Sequence, residues 1–387
     1  MAELRLVFVV GEASGDTLAA EMVDGIRARG HDVTISGIGG RRLQERGLSA
    51  VSPMESLTVI GVGQALAAVS RLNRLADQLI AHVIETSPDA IITVDSKGFN
   101  LRFARRLRAR LQRISPGMVP PVIHTVAPTV WAWGGWRAGG VARSVDRLIC
   151  LFPFEVPFFT AHGLDTVAAG HPAAERSRPK RPAARARFDI TADEKVLCLL
   201  PGSRRSEVER VLPDMVEAVR ILKKDIPGLR VFLPVAATVA TTITPLIAAE
   251  DAITPVPQDD LDHVLAAADF GLICSGTVSL EAALSGLPGH VYYRADLIST
   301  MIGRLLVRRD RVVLPNVIAG REIYGFSLGD EFNATRMAAT ARQGLMQRNA
   351  DMSATATQIR QQLTVGRGFA ATAAEAILEK IGVQPED

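Results

Sequence analysis

The chain has 387 residues, 48% of them hydrophobic and 22% charged, with a formal net charge of +3. That balance excludes a disordered chain and supplies a sizeable core, and the length suggests two domains. No apolar run reaches the roughly 18–20 residues needed to span a bilayer, and the opening MAELRLVFVV lacks the pattern of a secretion signal. The three cysteines, Cys150, Cys198 and Cys274, sit in apolar runs without a CxxC partner, which reads as buried reduced thiols of a cytosolic protein with no metal site.

In chain order, short apolar runs alternate with amphipathic helical stretches. LRLVFVV, DVTISGI, AIITV, PVIHTV and DRLICLF read as buried strands of a first half, and VLCLLP, VFLPVA, FGLICS and HVYYR repeat the pattern in a second. Serial strand–helix–strand units make parallel sheets with right-handed crossovers. The expected class is therefore α/β, with two Rossmann-like domains whose parallel sheets face each other across a cleft. The Pro-, Ala- and Arg-rich segment Pro172–Lys195 reads as a linker between the domains.

In open parallel sheets ligands bind beyond the carboxyl ends of strands, so the residues that follow each strand carry the functional reading. GEASGD, with Glu12, Ser14 and Asp16, follows the first strand and reads as a glycine turn into a helix. It lacks the GxGxxG spacing and the acidic ribose partner of a dinucleotide site. LRFARRLRARLQR carries six arginines between Arg102 and Arg113, and ERSRPKRPAARAR six basic residues between Arg176 and Arg187. Such runs are either solvated faces or attractors of an anionic surface. Asp95, directly after AIITV, is a candidate general base or a helix-capping aspartate. His124 and His171 have no companions at metal-ligand spacing and read as structural. All three tryptophans, Trp131, Trp133 and Trp136, fall in the single loop VWAWGGW.

In the second half, Gly202 and Ser203 form a turn before a helix, with Ser206 expected as the N-cap and Glu209 three residues on. Arg204 beside that helix N-terminus suits a diphosphate, and a surface pair with Glu207 or Glu209 is its plain alternative. Ser275, Gly276 and Thr277 form a second small-residue turn. Glu281, one turn further in, is a carboxylate able to accept both hydroxyls of a ribose, or an ordinary helix glutamate.

GEASGD, VIGVGQALAAVSRLNRL, VDSKGFN, APTVWAW, FPFE, AGHP, LLPGSR, SGTVSLE and LPNVIAGRE occur in the order found in the lipid-A-disaccharide synthases, which the chain resembles from Glu3 to about Ala373. The resemblance implies a metal-independent inverting enzyme of the glycosyltransferase-B fold, glycosyltransferase family 19, that needs no cofactor. Such an enzyme joins UDP-2,3-diacylglucosamine to 2,3-diacylglucosamine 1-phosphate, giving the β-1,6 lipid A disaccharide and UDP. It implies Asp95 as the base and Gly202, Ser203, Arg204, Ser275, Gly276, Thr277, Glu281 and Asn316 as the UDP site. Glu12, Ser14, Asp16, Trp131, Trp133 and Arg137 become acceptor-side candidates. Residues 1–172 would form the acceptor domain, residues 173–365 the donor domain, and a helix at about 366–387 would pack back on the first. Val59, Ile60 and Val62 would touch an anionic membrane surface from the cytosolic face of the inner membrane.

A homodimer is compatible with this reading, and nucleic acid is not an expected partner, since aromatic residues are not interleaved with the basic runs. The sequence departs from the family at Lys97 and Gly98, at Gly134, at Ile323–Phe326 and in PGHVYYR, which is expected to affect the acceptor side. The alternative is therefore a divergent member that passes a sugar from a UDP donor to another lipid acceptor.

Overall fold

The computed structural model describes residues 3–57, 65–115, 117, 119–131, 134–294, 312–347 and 352–383. The chain divides into two compact units, Met1–Glu175 with Leu363–Asp387, and Arg176–Gln362. Each unit is built on one parallel sheet.

The first sheet holds β1 (Glu3–Val10), β2 (Asp32–Ile38), β3 (Ser49–Ala50), β4 (Ala90–Val94), β5 (Val122–Thr125), β6 (Arg147–Cys150) and β7 (Thr166–Ala168), in the order β3-β2-β1-β4-β5-β6-β7. Its strands are apolar on both faces because both are covered. Leu6, Phe8 and Val10 of β1 pack with α1 (Ala13–Arg27), whereas Val7 and Val9 share the opposite core with Leu79 and Phe103. Those two residues belong to α3 (Ala65–Thr86) and α4 (Lys97–Ile114); the short α2 (Arg41–Gln44) precedes them.

The second sheet holds β8 (Val196–Leu200), β9 (Arg230–Val235), β10 (Thr254–Pro257), β11 (Phe270–Cys274), β12 (Gly289–Tyr293) and β13 (Gly325–Leu328), in the order β10-β9-β8-β11-β12-β13. Its helices include α5 (Arg181–Arg187), α6 (Arg205–Asp225), α7 (Leu261–Ala267), α8 (Thr277–Leu284) and α9 (Ala334–Met346). The three cysteines are buried and free.

All nine strands expected from the sequence are present. The four that were not expected, β3, β7, β10 and β13, are the edges of the two sheets. Edge strands are short and only half covered, so they carry no continuous apolar run, and β10 contains two prolines that an interior strand would not tolerate.

The boundary between the two units falls inside the arginine-rich segment read as a linker, but the segment also carries helix α5. Its helix α5 packs on α7. The Arg185 guanidinium lies buried and donates to the carbonyls of Ala267, Thr191 and Glu194. Arg181 and Arg187 pair with Asp269 and Asp260. Arg185 is thus consumed by the fold, while Arg181 and Arg187 stay half exposed and lie on carboxylates of the same unit.

The C-terminal helix α10 (Phe369–Lys380) belongs to the first unit and buries Phe369, Ala373 and Ile377 in the core shared with α1. Contact is close at Gly25, where an added Cβ would lie 2.2 Å from the Ala370 carbonyl oxygen. Arg147 of β6 closes the other end, donating to the Ala376 carbonyl and to Glu379, each at 2.7 Å. Gly25→Ala should therefore force the helices apart and cost about 1–3 kcal/mol. A thermal melt should show the loss as a fall in Tm of roughly 2–4 °C per kcal/mol.

Candidate functional site

In both sheets the strand order reverses direction at one point, between β1 and β4 in the first and between β8 and β11 in the second. At such a point successive crossovers leave in opposite directions, and the loops at the strands' carboxyl ends part to form a crevice. The sequence motifs lie there. GEASGD follows β1 and Asp95 follows β4; PGSR follows β8 and SGT follows β11.

In the first unit the two loops touch. A Cβ on Gly11 would fall 2.0 Å from Ser96 Oγ. Asp95 and Ser96 both adopt left-handed backbone, with φ of 50° and 39°, so two consecutive non-glycine residues are held where L side chains are disfavoured. Such residues cost on the order of 1–3 kcal/mol each and persist only where their surroundings fix them. Here the fixing group is Asn100, fully buried on the first turns of α4. Its Nδ2 donates to the carbonyls of Asp95 (2.8 Å), Val94 (3.3 Å) and Val9 (3.3 Å) and so ties β1 to β4 at their ends. The Asp95 N–H donates to Thr125 of β5 (3.0 Å), which completes the clamp. Asp95 is half-buried, and no salt bridge joins it to Lys97 among the described residues.

Glu12 and Ser14 are exposed at the start of α1. Asp16 differs from the expectation of an available cleft carboxylate. It is buried and accepts from the backbone N–H groups of Gly40 (2.7 Å), Arg42 (2.8 Å) and Leu43 (3.4 Å), which makes it a cap for α2. Its lone pairs are committed to the fold.

The tryptophans separate. Trp131 is buried, its ring edge-on to Phe154 at 5.4 Å, and its Nε1 donates to Glu155 Oε1 at 3.1 Å. Trp136 is 81% exposed, and Arg137 beside it is half-buried. Trp133 lies outside the described residues, as do Val59, Ile60 and Val62. Glu155, whose importance the sequence reading missed, is 3% exposed and anchors this loop. Burial pushes its carboxyl up to about 8, against the opposing pull of the Trp131 and Phe152 N–H groups and of the Lys97 charge. His171 stacks on Phe152 at 5.6 Å, and its Nδ1 accepts from the Ala173 N–H. His124 is buried, bonded through Nδ1 to Thr93 Oγ1 (2.8 Å), and burial lowers it to about 4, so it is neutral near pH 7. FPFE, APTVW and AGHP thus form one packed assembly.

In the second unit Gly202 adopts φ +106°, and the turn delivers Ser203 and Arg204 to the start of α6. The helix opens two residues earlier than expected. Arg204 occupies the capping position, Ser206 is already helical, and Glu207, in place of Glu209, returns to the turn. The Glu207 carboxylate accepts from the N–H groups of Ser203 (3.2 Å) and Arg204 (3.3 Å) and from the Arg204 guanidinium (3.1 Å). A carboxylate therefore occupies an anion position of the turn. Arg204 is otherwise exposed, at 70%.

Gly276, at φ +155°, leads into α8 with open space where a Cβ would be, so backbone shape is what asks for glycine there. Thr277 is exposed and Ser275 half-buried. β8 and β11 pair directly, so the turns that follow them are neighbours. Glu281 on α8 is only 15% exposed, and its Oε2 accepts from Arg176 and Arg178, each at 2.6 Å.

Asn316 is also committed. Its Oδ1 accepts from the N–H groups of Ile323 and Tyr324 (both 3.0 Å), and its Nδ2 donates to the Tyr324 carbonyl (2.8 Å). It pins the segment that enters β13. Tyr324 is fully buried with its hydroxyl on the Leu287 carbonyl (2.7 Å), and Tyr292 is buried in the same unit. Of the departures at Ile323–Phe326 and in PGHVYYR, Tyr324 and Tyr292 are thus core packing of the second unit.

The family model described as lipid-A-disaccharide synthetase matches residues 6–381. The chain belongs to the lipid-A-disaccharide synthase family. Lipid-A-disaccharide synthase of Myxococcus xanthus is 36% identical over 342 residues, 88% of this chain and 87% of the relative. That of Pseudomonas aeruginosa is 36% identical over 341 residues, 87% and 88% of the two chains. Among solved structures, the UDP co-structure of S. aureus MnaA superposes with a TM-score of 0.63 at 13% identity, covering 99% of this chain and 98% of that one. Acinetobacter baumannii MurG superposes at 0.56 and 15% identity, covering 99% and 100%. The fold is that of the glycosyltransferase-B enzymes, and the family is one of glycosyltransferases in lipid A biosynthesis. No helix among the described residues is long and apolar enough to cross a membrane, and no three His, Cys, Asp or Glu side chains among them gather as metal ligands would.

The raised Glu155 carboxyl gives a pH test. A group held protonated by the fold stabilises it below the unfolded value, and that contribution is lost as pH rises through the folded value. Wild-type Tm should therefore carry a falling component between about pH 4.5 and pH 8. Glu155→Gln keeps an oxygen for Trp131 and cannot ionise, so its melting curve should be flatter over that range.

Proposed function

We propose that this protein transfers 2,3-diacylglucosamine from its UDP donor to the 6-hydroxyl of 2,3-diacylglucosamine 1-phosphate, with inversion. The family match over residues 6–381 carries the reading, supported by the motifs at both sheet reversals. The second unit takes the donor. The Gly202–Ser203–Arg204 turn and the Ser275–Gly276–Thr277 turn offer backbone N–H groups and a guanidinium to the diphosphate, and Glu281 accepts from the ribose hydroxyls. Binding exchanges the Glu207 carboxylate at the first turn for phosphate oxygens. Asn316 acts through the segment it pins.

The first unit takes the acceptor, with Glu12, Ser14, Trp131, Trp133 and Arg137 around it. A primary alcohol is a weak nucleophile until its proton is removed during attack, and a positioned base contributes about 10²–10⁴-fold. Asp95 is that base, with Asn100 fixing the turn that presents it. The proton passes to its carboxylate as the new C–O bond forms at the anomeric carbon and UDP departs with the bonding pair. Exposed Arg102, Arg110 and Arg113 on α4 and the segment with Val59, Ile60 and Val62 meet an anionic membrane surface, where acylated substrates reside.

With the two diacylglucosamine substrates, release of UDP is the expected outcome. Asp95→Asn should lower kcat at least about a hundredfold with UDP binding intact; turnover within a few-fold of wild type would remove Asp95 from this role. UDP release only with another lipid acceptor would identify a divergent member. In calorimetry, Arg204→Ala should weaken UDP binding about tenfold or more, since a charge-assisted contact to phosphate is lost.

A further inference from the structure

The second unit holds a charged cluster of Arg176, Arg178, Asp262 and Glu281. Arg178 follows the boundary between the units, yet its side chain is only 6% exposed. Its Nη2 donates to Glu281 Oε2 (2.6 Å) and its Nε to Ser285 Oγ (3.1 Å), so one planar guanidinium spans Glu281 on α8 and the residue that caps the helix's C-terminus. Asp262 of α7 lies 3.7 Å away. Arg176, 48% exposed, donates to the same Oε2, and Oε1 of Glu281 receives no hydrogen bond from the described residues.

Holding a carboxylate by one oxygen fixes its plane and leaves the other oxygen's lone pairs directed. A free glutamate loses its rotamer freedom each time it binds a diol, whereas this one has lost it already. Lysine would not reproduce the arrangement, since an ammonium is a point charge without the guanidinium's two fixed edges.

We infer that Arg178 is a positioning residue for donor recognition, which orients Glu281 so that Oε1 meets the ribose hydroxyls of the uridine nucleotide. The inference rests on Glu281 as the ribose acceptor. It assigns the end of the arginine-rich segment a task in nucleotide selection. Arg178 touches no substrate; its effect passes through Glu281.

The test compares UDP with 2′-deoxyuridine diphosphate on the full chain, because the two share the diphosphate and differ at the ribose. Wild type should prefer UDP by about tenfold, the range for a hydrogen bond to a charged group. Glu281→Gln should reduce that preference; a wild type with no preference, or a Glu281→Gln protein that keeps it, would overturn the ribose role itself. Where Glu281→Gln does reduce it, Arg178→Lys should shrink the preference at least about threefold while binding of the deoxy nucleotide stays within about twofold. An unchanged ratio in Arg178→Lys, or equal weakening of both nucleotides, would overturn Arg178 as a positioning residue. Arg178→Gln tests the loss of charge in the same way. If it fails to fold, the lysine variant alone decides, because it retains the charge that balances Glu281 and Asp262.

Discussion

Each sheet contains one place where neighbouring parallel strands send their connections to opposite sides, and that constraint decides where the strand-end motifs of this protein meet. β1 and β4 diverge in this way, as do β8 and β11. Divergence leaves backbone N–H groups, helix starts and short side chains exposed at strand ends that are otherwise rigid. Four motifs far apart in sequence thereby become two pairs, and the left-handed turn at Asp95 and Ser96 persists only because the ends of β1, β4 and β5 already stand in register around it.

Several polar side chains at these strand ends are occupied by the protein itself. Asp16 caps α2, Glu207 folds back on its own turn, Asn316 pins the entry to β13, and Glu281 is held by two arginines. They differ in what they leave over. Asp16 and Asn316 have their acceptors filled by backbone, which suits a scaffold. Glu207 fills the anion position of its own turn. Glu281 keeps one oxygen unclaimed among the described residues.

The sequence made the interior strands legible, because two-sided burial writes a continuous apolar run, and it made the strand-end motifs legible because glycine and serine mark the turns. Edge strands left no such run. The roles of Glu155 and Asn100 were also hidden. A glutamate just after the phenylalanines of FPFE would read as exposed unless Trp131, remote in sequence, is known to lie on it. The arginine-rich segment misled in the opposite direction. Its charges looked available, but the carboxylates and carbonyls that absorb them come from Asp260, Ala267 and Asp269, also remote in sequence.

The return of α10 to the first unit has a consequence for biosynthesis. The core that Leu6, Phe8 and Met22 begin is closed by Phe369 and Ile377, which are made after the whole of the second unit. At about 5–20 residues per second, the intervening chain takes on the order of 10–40 s to emerge. During that interval the second unit has everything it needs to fold, and the first carries an apolar face of α1 without its cover. The nascent chain thus finishes its second unit before its first, and a ribosome stalled near the 3′ end of the message would hold a protein half closed.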